Sequence, residues 1–282
     1  MQYVVYGILL GCALLLATVG FSLIRRIEGF LNVSHGQLLT VGAYLTLVFN
    51  ARLGWNIVPA AAVGVLLTAV IGYGVARLAF FPLKTRPPLI ITITSVGISY
   101  ILHGLIEFFF GPQVKQFRVP PMRAIMVGNI SLAAPDQIAT VVAAALTALF
   151  LHLFLTQTEM GKAVRAMASN FDLARIRGIN TTRLRAIVWL IASGMAGLAG
   201  VMVGLISKLT PDMGWEYIML VFIVAILGGL GSIYGAMAAA IVIGLATQMS
   251  VMVIPAQYSQ VVAFALIIIV LFVRPQGVFK EA

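Results

Sequence analysis

The sequence predicts an all-α, polytopic membrane protein with about eight or nine spans, some of them short or broken. Two observations lead to this prediction. First, 61% of the 282 residues are hydrophobic and 9% are charged, with a mean hydropathy of +1.08, whereas soluble domains are about 25% charged. Second, apolar runs close to the roughly 20 residues that a bilayer-spanning helix requires recur along the chain. Residues 1–282 are therefore expected to form a single transmembrane domain.

Apolar segments that are long enough, or nearly long enough, to be spans follow one another along the chain. In order they cover 3–24, 37–50, 57–80, 89–110, 137–155, 186–206, 217–227, 236–253 and 257–273. The segments 37–50 and 217–227 would reach only about 21 Å and about 16 Å at 1.5 Å per residue. Helices this short are tolerated where they line a cavity or pack inside protein.

Basic residues are divided unequally between the two sides of this topology. One side holds only five of the 18 lysines and arginines, namely Arg52, Lys115, Arg118, Arg123 and Lys208. The positive-inside rule makes the other side cytoplasmic, which places the N-terminus outside and the C-terminus in the cytoplasm. This distribution explains the net charge of +10 without a nucleic acid partner.

The longest loop on the predicted outer side covers residues 111–136. It contains Pro112, Pro120, Pro121 and Pro135, and prolines punctuate regular structure. We predict that this loop is an irregular cap and a docking surface on the outer face.

A charged segment, 159–180, falls on the predicted cytoplasmic side and reads EMGKAVRAMASNFDLARIRGIN. Met160, Val164 and Met167 recur at i, i+4 and i+7, which predicts a short helix with one apolar face. Such a face has to be buried against something. A basic loop that only fixes topology is the alternative, but the apolar face favours a structured knob that docks a cytoplasmic partner.

Turn and cap residues divide this segment into two short helices. Gly178 suits the end of the second helix, because glycine is favoured just past a helix C-terminus. The candidate N-caps are Ser169 and Asn170 for a helix over 171–177, and Thr181 or Thr182 for the following span.

Polar side chains cluster just before the short segment 37–50. They are Asn32, Ser34, His35 and Gln37. They form either a polar break at the inner mouth of a path through the membrane or a helix cap at the water interface. No metal site is predicted, because no Cys, Asp or second His lies at ligand spacing from His35.

Two other segments offer polar groups within the membrane. Thr92, Thr94, Ser95 and Ser99 either line a path or bond their own backbone carbonyls. Gly228, Gly229 and Gly231 end the half-length segment 217–227, and half-helices of this kind occur at substrate sites. Tight helix packing through the Gly231-x-x-x-Gly235 pair is the alternative that we favour, and the pairs at 7 and 11 and at 200 and 204 indicate similar packing.

Three motifs together carry a resemblance to a known family. They are L-N-V-S-H-G-Q-L-L-T-V-G-A-Y at 31–44, the segment 159–180, and G-G-L-G-S-I-Y-G at 228–235. In this order they resemble the permeases of bacterial ABC importers of the branched-chain amino acid type. The resemblance implies the ABC-importer permease fold, with a cytoplasmic coupling segment at 157–182. The positions that match the family's coupling loop are Glu159, Gly161, Lys162, Arg165, Ala166, Asn170, Ala174 and Gly178. Arg177 departs from the apolar residue expected there.

The resemblance also implies partners and a location. They are two cytoplasmic ATPase subunits, a second related permease, and an external substrate-binding protein, assembled in the lipid of the bacterial inner membrane. The cargo would be a branched-chain or related amino acid. ATP would be bound by the partners, and this chain has no G-x-x-x-x-G-K-[ST] loop, so no cofactor of its own is expected.

Two other functions compete with this one. An ion-coupled secondary transporter usually needs acidic groups inside the membrane, and Glu107 is the one acid here that lies within a predicted span. An intramembrane serine protease would use Ser193 or Ser232 as nucleophile, together with a histidine as general base.

Overall fold

The computed structural model describes residues 2–119, 125–127, 130–133, 135–255, 258–274 and 277–278. The described chain is almost entirely helical. Its α-helices are α1 (Gln2–Glu28), α2 (Ser34–Leu47), α3 (Ile57–Val75), α4 (Pro88–Phe110), α5 (Pro135–Gln157), α6 (Glu159–Ser169), α7 (Phe171–Ile176), α8 (Thr181–Ile206), α9 (Met213–Gly228), α10 (Ile233–Ser250) and α11 (Ser259–Val273). Short π-helical turns, Val48–Arg52 and Ala76–Phe80, continue α2 and α3.

The predicted all-α, polytopic fold is confirmed. Within the described residues, six helices are long and apolar enough to cross a membrane, and α9 and α11 are shorter apolar helices. The length predicted for the segment 37–50 is wrong, because α2 begins at Ser34 and its π-helical extension ends at Arg52. At 1.5 Å per residue the combined helix is about 28 Å long, close to the thickness of the hydrocarbon.

Helix α1 lies at the centre of the bundle. In its most apolar 18-residue window 89% of the residues are buried, against 22% in α3 and 28% in α4 and α5. Its main neighbour is α10. Added Cβ atoms on Gly7 and Gly11 would meet the α10 backbone at Leu245 and Ile241, in both cases 2.9 Å from the Cα atom. Glycine at these positions therefore allows the two helix axes to approach closely.

Helix α8 is the second inner helix and crosses α2 and α3. A Cβ atom on Gly200 would collide with the carbonyl oxygen of Leu39, and one on Gly197 would lie 2.9 Å from the Cβ atom of Thr68. The small-residue positions at 7, 11, 197 and 200 thus pack helices within one chain.

One end of the bundle, the basic end, is formed by the end of α1, the start of α8, helices α6 and α7, and the turn between α9 and α10. There the Glu28 carboxylate accepts hydrogen bonds from Arg185. A Cβ atom added to Gly231 would lie 3.5 Å from the Cα atom of Arg26, so the turn packs against the end of α1. At the opposite end, Lys115 and Leu209 exchange backbone hydrogen bonds of 2.9 and 3.0 Å.

Backbone pairing at the opposite end corrects the prediction of an irregular cap over 111–136. Strands β1 (Ile125–Val127) and β2 (Ile130–Ala133) form an antiparallel hairpin. The sequence between the strands is Gly-Asn, and this pair between β-branched residues is a hairpin signal that the prolines obscured. The prolines at 120 and 121 lie outside the described residues.

Candidate functional site

The predicted knob consists of α6 and α7 at the basic end. Thr158 caps α6, because its hydroxyl accepts a 2.9 Å hydrogen bond from the amide of Gly161. Asn170 caps α7 in the same way, through a 2.9 Å hydrogen bond from the amide of Leu173. Side-chain caps satisfy backbone donors that have no partner within a helix, which favours helix even in pieces as short as these.

Two details of the predicted knob need correction. Helix α8 is capped by Asn180, which accepts a 3.0 Å hydrogen bond from the amide of Arg183, and not by Thr181 or Thr182. The predicted second helix 171–177 ends one residue earlier, at Ile176. Its predicted end at a glycine is confirmed, because Gly178 has φ +83°, a conformation that costs glycine little.

The apolar face of α6 is buried by the chain itself. Val164 is 0% exposed and Met167 2%, because α6 packs against α1, α5 and α8. Met160 is 41% exposed and lies outside this contact, so the predicted three-residue face is only partly right. Further apolar surface is open on α7, where Leu173 is 51% and Ile176 81% exposed.

Gly161 fixes the position of α6 against the end of α5. A Cβ atom on it would collide with the carbonyl oxygen of Phe154 and lie 2.6 Å from the Cα atom of Leu155. Both contacts are with backbone, which cannot move aside as a side chain can. Gly161 therefore keeps α6 close to the membrane helix that precedes it.

The predicted coupling positions differ in exposure. Glu159, Lys162, Ala166, Asn170 and Gly178 are exposed, Arg165 is half-buried, and Gly161 and Ala174 are buried. The Lys162 ammonium donates a 2.9 Å hydrogen bond to the Glu159 carboxylate. That hydrogen bond and the positive charge of Lys162 lower the pKa of Glu159.

An open groove of about 220 Å³ lies between α6 and the start of α8. Its walls include Met160, Ala163, Ile179 and Leu184, with Glu159 and Arg183 among the charged groups. An apolar floor with charges at its edge is a surface that can receive a side chain from a partner protein.

The polar residues before the short span are buried in the bundle. Asn32, Ser34 and His35 are 0% exposed and Gln37 is 1% exposed. Ser34 donates a 2.6 Å hydrogen bond to Asn32, and Nε2 of His35 lies 2.9 Å from the carbonyl oxygen of Ala17. Val33 occupies the N-cap position of α2 without a side-chain cap bond, so the interpretation as a cap at the water interface is wrong. Whether they belong to a path stays a prediction.

The hydroxyl groups of α4 bond mainly to backbone. Thr92 donates to the carbonyl of Pro88 at 3.0 Å, and Thr94 to that of Ile90 at 2.9 Å. Residues 29–33 between α1 and α2 are not helical, and we call them the break. Ser95 is buried and accepts a 3.0 Å hydrogen bond from the amide of Val33, so it holds the break in place. The path-lining role of these three residues stays a prediction.

The glycine turn between α9 and α10 allows backbone segments to pack closely. A Cβ atom on Gly228 would lie 2.5 Å from the carbonyl carbon and oxygen of Gly235. Gly229 and Gly231 have φ +96° and φ +91°, which favour glycine. This geometry fits the packing interpretation, with the pair at 228 and 235 rather than 231 and 235. A substrate contact by these glycines stays a prediction.

Sequence reasoning missed a buried ion pair at the basic end. Nε of Arg185 donates to Oε1 of Glu28 at 2.8 Å and a terminal nitrogen donates to Oε2 at 2.7 Å, while the Trp189 indole also donates to Oε1 at 3.0 Å. The charged side chains are each 9% exposed. Glu28 and Arg185 are 157 positions apart, so no local sequence pattern indicates the pair.

Each histidine has a partner other than the two candidate nucleophilic serines. His35 contacts the Ala17 carbonyl, His103 the carboxylate of Asp212 at 3.0 Å, and His152 the Tyr234 hydroxyl at 3.0 Å. The Ser232 hydroxyl accepts a hydrogen bond from the Gly235 amide, as an N-cap of α10. The predicted protease alternative therefore lacks a general base oriented toward either serine among the described residues.

Acidic groups of the described spans do not favour ion coupling. Glu107 lies near the end of α4 at the opposite end, where its carboxylate is 47% exposed and 4.0 Å from His103. Glu28 is held by Arg185. An ion-coupled carrier usually needs a carboxylate that can exchange protons or cations within the membrane.

Comparison with known proteins identifies the family. The model of the family described as branched-chain amino acid transport system / permease component matches residues 3–271. The chain belongs to this family. The match includes the basic end, the knob and all but the last residues of α11.

Curated relatives of the family align over nearly the whole chain. The high-affinity branched-chain amino acid transport system permease protein LivH of Escherichia coli (strain K12) is 31% identical, covering 99% of this chain and 94% of the relative. The permease protein BraD of Pseudomonas aeruginosa is 29% identical, with 99% and 95% covered. A probable LivH of Methanocaldococcus jannaschii is 25% identical, with 94% and 88% covered.

A solved structure has a similar fold. PsaBC from Streptococcus pneumoniae, in complex with Fab, aligns with a TM-score of 0.54 and 16% identity. The alignment covers 98% of this chain and 92% of that chain. At this identity the likeness concerns the fold alone, and it extends over nearly the whole of this chain.

Proposed function

We propose that this chain is the transmembrane permease subunit of an ATP-driven importer that takes up branched-chain or related amino acids. The family match over residues 3–271 carries the proposal, and the relatives LivH and BraD are permeases of branched-chain amino acid transport. The chain acts as a transport subunit and not as an enzyme. ATP is bound and hydrolysed by partner subunits.

The complex contains two ATPase subunits, a second related permease and an external binding protein. The knob of α6 and α7 is the ATPase dock, with Leu173 and Ile176 as its exposed apolar contacts and the groove beside Met160 as a second contact. Membrane-buried residues 32–37 and the hydroxyls of α4 lie on the route of the cargo. The basic end faces the cytoplasm and the N-terminus lies outside, in the bacterial inner membrane.

Transport follows from differential contacts of the ATPases with two conformations. Nucleotide binding closes the ATPases, the knob moves with them, and α5 and α8 move because the knob is continuous with both. A ligand shifts such an equilibrium only by its difference in affinity for the two states. The caps at Asn170 and Asn180 keep the knob folded while it moves.

Reconstitution of the complete complex in liposomes tests the proposal. With ATP and the binding protein, we expect concentrative uptake of leucine, and no uptake without the ATPases. Arg165→Glu and Gly178→Pro should each reduce uptake per ATP hydrolysed at least tenfold. Lys84→Glu, an equal charge reversal in the exposed loop between α3 and α4, is the control. Uptake by the permease alone would identify an ion-coupled carrier, and normal coupling in both knob variants would refute the dock.

A further inference from the structure

The ion pair between Glu28 and Arg185 lies between two parts of the chain that the transport mechanism needs to connect. Arg185 is in the first turns of α8, five residues after the Asn180 cap that ends the knob. Glu28 is the last residue of α1. It is followed by Gly29, with φ +77°, and by the break that leads to Asn32.

The pair is built to resist independent movement of the two segments. Two hydrogen bonds of 2.8 and 2.7 Å join the planar guanidinium to both carboxylate oxygens of Glu28, and the Trp189 indole adds a third at 3.0 Å. A bidentate arrangement fixes orientation as well as distance, because both bonds weaken when either group rotates.

Aromatic rings surround the pair and extend the contact into the break. The guanidinium carbon of Arg185 lies 4.2 Å from the centroid of the Phe81 ring. Phe80 stacks on Trp189 at 5.3 Å and contacts Phe30 at 5.2 Å between centroids. Since Phe30 belongs to the break, the start of α8 holds this segment through ionic and aromatic contacts together.

A static contact at this place would not require charges. Replacing a buried ion pair by apolar side chains of similar volume is often neutral for stability or stabilising. Charges differ from apolar groups because their attraction depends on orientation and distance, and removal of one partner leaves the other uncompensated. The pair is therefore suited to transmit displacement rather than merely to fill space.

We propose that the ion pair of Glu28 and Arg185 is a positioning contact that transmits movement of the knob, through α8, to the break between α1 and α2. The proposal rests on the coupling role of the knob proposed above. It connects the ATPase dock with the buried residues Asn32, Ser34, His35 and Gln37, and the hydrogen bonds of Ser34 and His35 go to Asn32 and Ala17 rather than to the knob. Helix α8 also packs directly against α2 at Gly200 and Leu39, further along both helices, whereas the ion pair reaches the residues just before α2.

The ratio of ATP hydrolysed to leucine imported by the complete reconstituted complex tests the proposal. We expect Glu28→Gln to raise this ratio at least tenfold while the complex still assembles. Glu107→Gln, the same chemical change at the opposite end, should leave the ratio unchanged. A ratio in Glu28→Gln equal to that of the unmodified complex would overturn the proposal.

The double variant Glu28→Met with Arg185→Met separates transmission from folding. It leaves no unpaired charge and retains apolar volume, so we expect it to assemble and to be uncoupled at least tenfold. Normal coupling in the double variant would overturn the proposal, and so would loss of assembly, because the pair would then serve folding. If Glu28→Gln does not assemble, the double variant alone decides. Failure of the unmodified complex to import leucine with ATP would instead refute the function proposed above.

Discussion

Substitution of Gly200 by alanine tests the close approach of α8 and α2. The added Cβ atom would collide with the carbonyl oxygen of Leu39 and lie 2.8 Å from the carbonyl carbon of the same residue. It would also lie 3.3 Å from the amide nitrogen of Ala43. All three atoms are backbone, so relief requires the two helices to separate by roughly 1 Å, a gap that forfeits a quarter to a half of each dispersion contact it opens.

The expected cost is about 3 kcal/mol, at the upper end of the range for overpacked cores. For a chain of 282 residues, with an unfolding entropy of about 2.1 cal/mol/K per residue, that cost lowers the midpoint of thermal unfolding by about 5 °C. The assay is thermal unfolding of the purified permease in detergent micelles. Gly104→Ala in α4 is the control, because its added Cβ atom would meet no described atom within 4 Å beyond its chain neighbours and the nearby backbone of its own helix, and alanine favours helix over glycine. Equal midpoints for the two variants would refute the packing argument.

Two further predictions concern hydrogen bonds of single asparagines. Asn170→Ala removes the cap of α7 and costs about 1 kcal/mol, so hydrogen exchange at the Leu173 amide should accelerate about fivefold. Asn170→Asp keeps the cap and is the control. Equal exchange rates in the two variants would contradict the assignment of Asn170 as the cap. Asn50→Ala removes the carbonyl oxygen that accepts from the Arg118 amide at 2.6 Å. Trypsin should then cleave after Arg118 several times faster, whereas Asn56→Ala should have no effect, and an unchanged rate would show that Asn50 does not hold this segment.

Local patterns predicted the parts of the fold that depend on nearest neighbours in sequence. The spans follow from hydropathy, and the break of the knob at Asn170 follows from its cap, because both are properties of short windows. Asn180 was missed as a cap in favour of the adjacent threonines, since all three residues can cap a helix. Met160 was expected to be buried with Val164, but helical spacing does not indicate how much of an apolar face the neighbouring helices cover.

Contacts between distant segments could not be predicted from one sequence. The pairing of Glu28 with Arg185 requires the relative rotation of two spans, which no local pattern specifies. The glycines at 7 and 11 indicated a packing surface, but not that α10 would occupy it. For the candidate site, the sequence located the knob and the polar residues 32–37, while their burial became visible only in the folded bundle.

The central position of α1 has a consequence for biogenesis. The helix that fills the middle of the bundle is translated early, but its partner surface around Gly244 is made more than two hundred residues later. At bacterial or archaeal synthesis rates this interval is on the order of 10–50 s. During that time the glycine groove of α1 faces lipid or the insertion machinery instead of α10. A chain that is truncated before α10 therefore keeps this groove uncovered, which makes it a substrate for quality-control proteases.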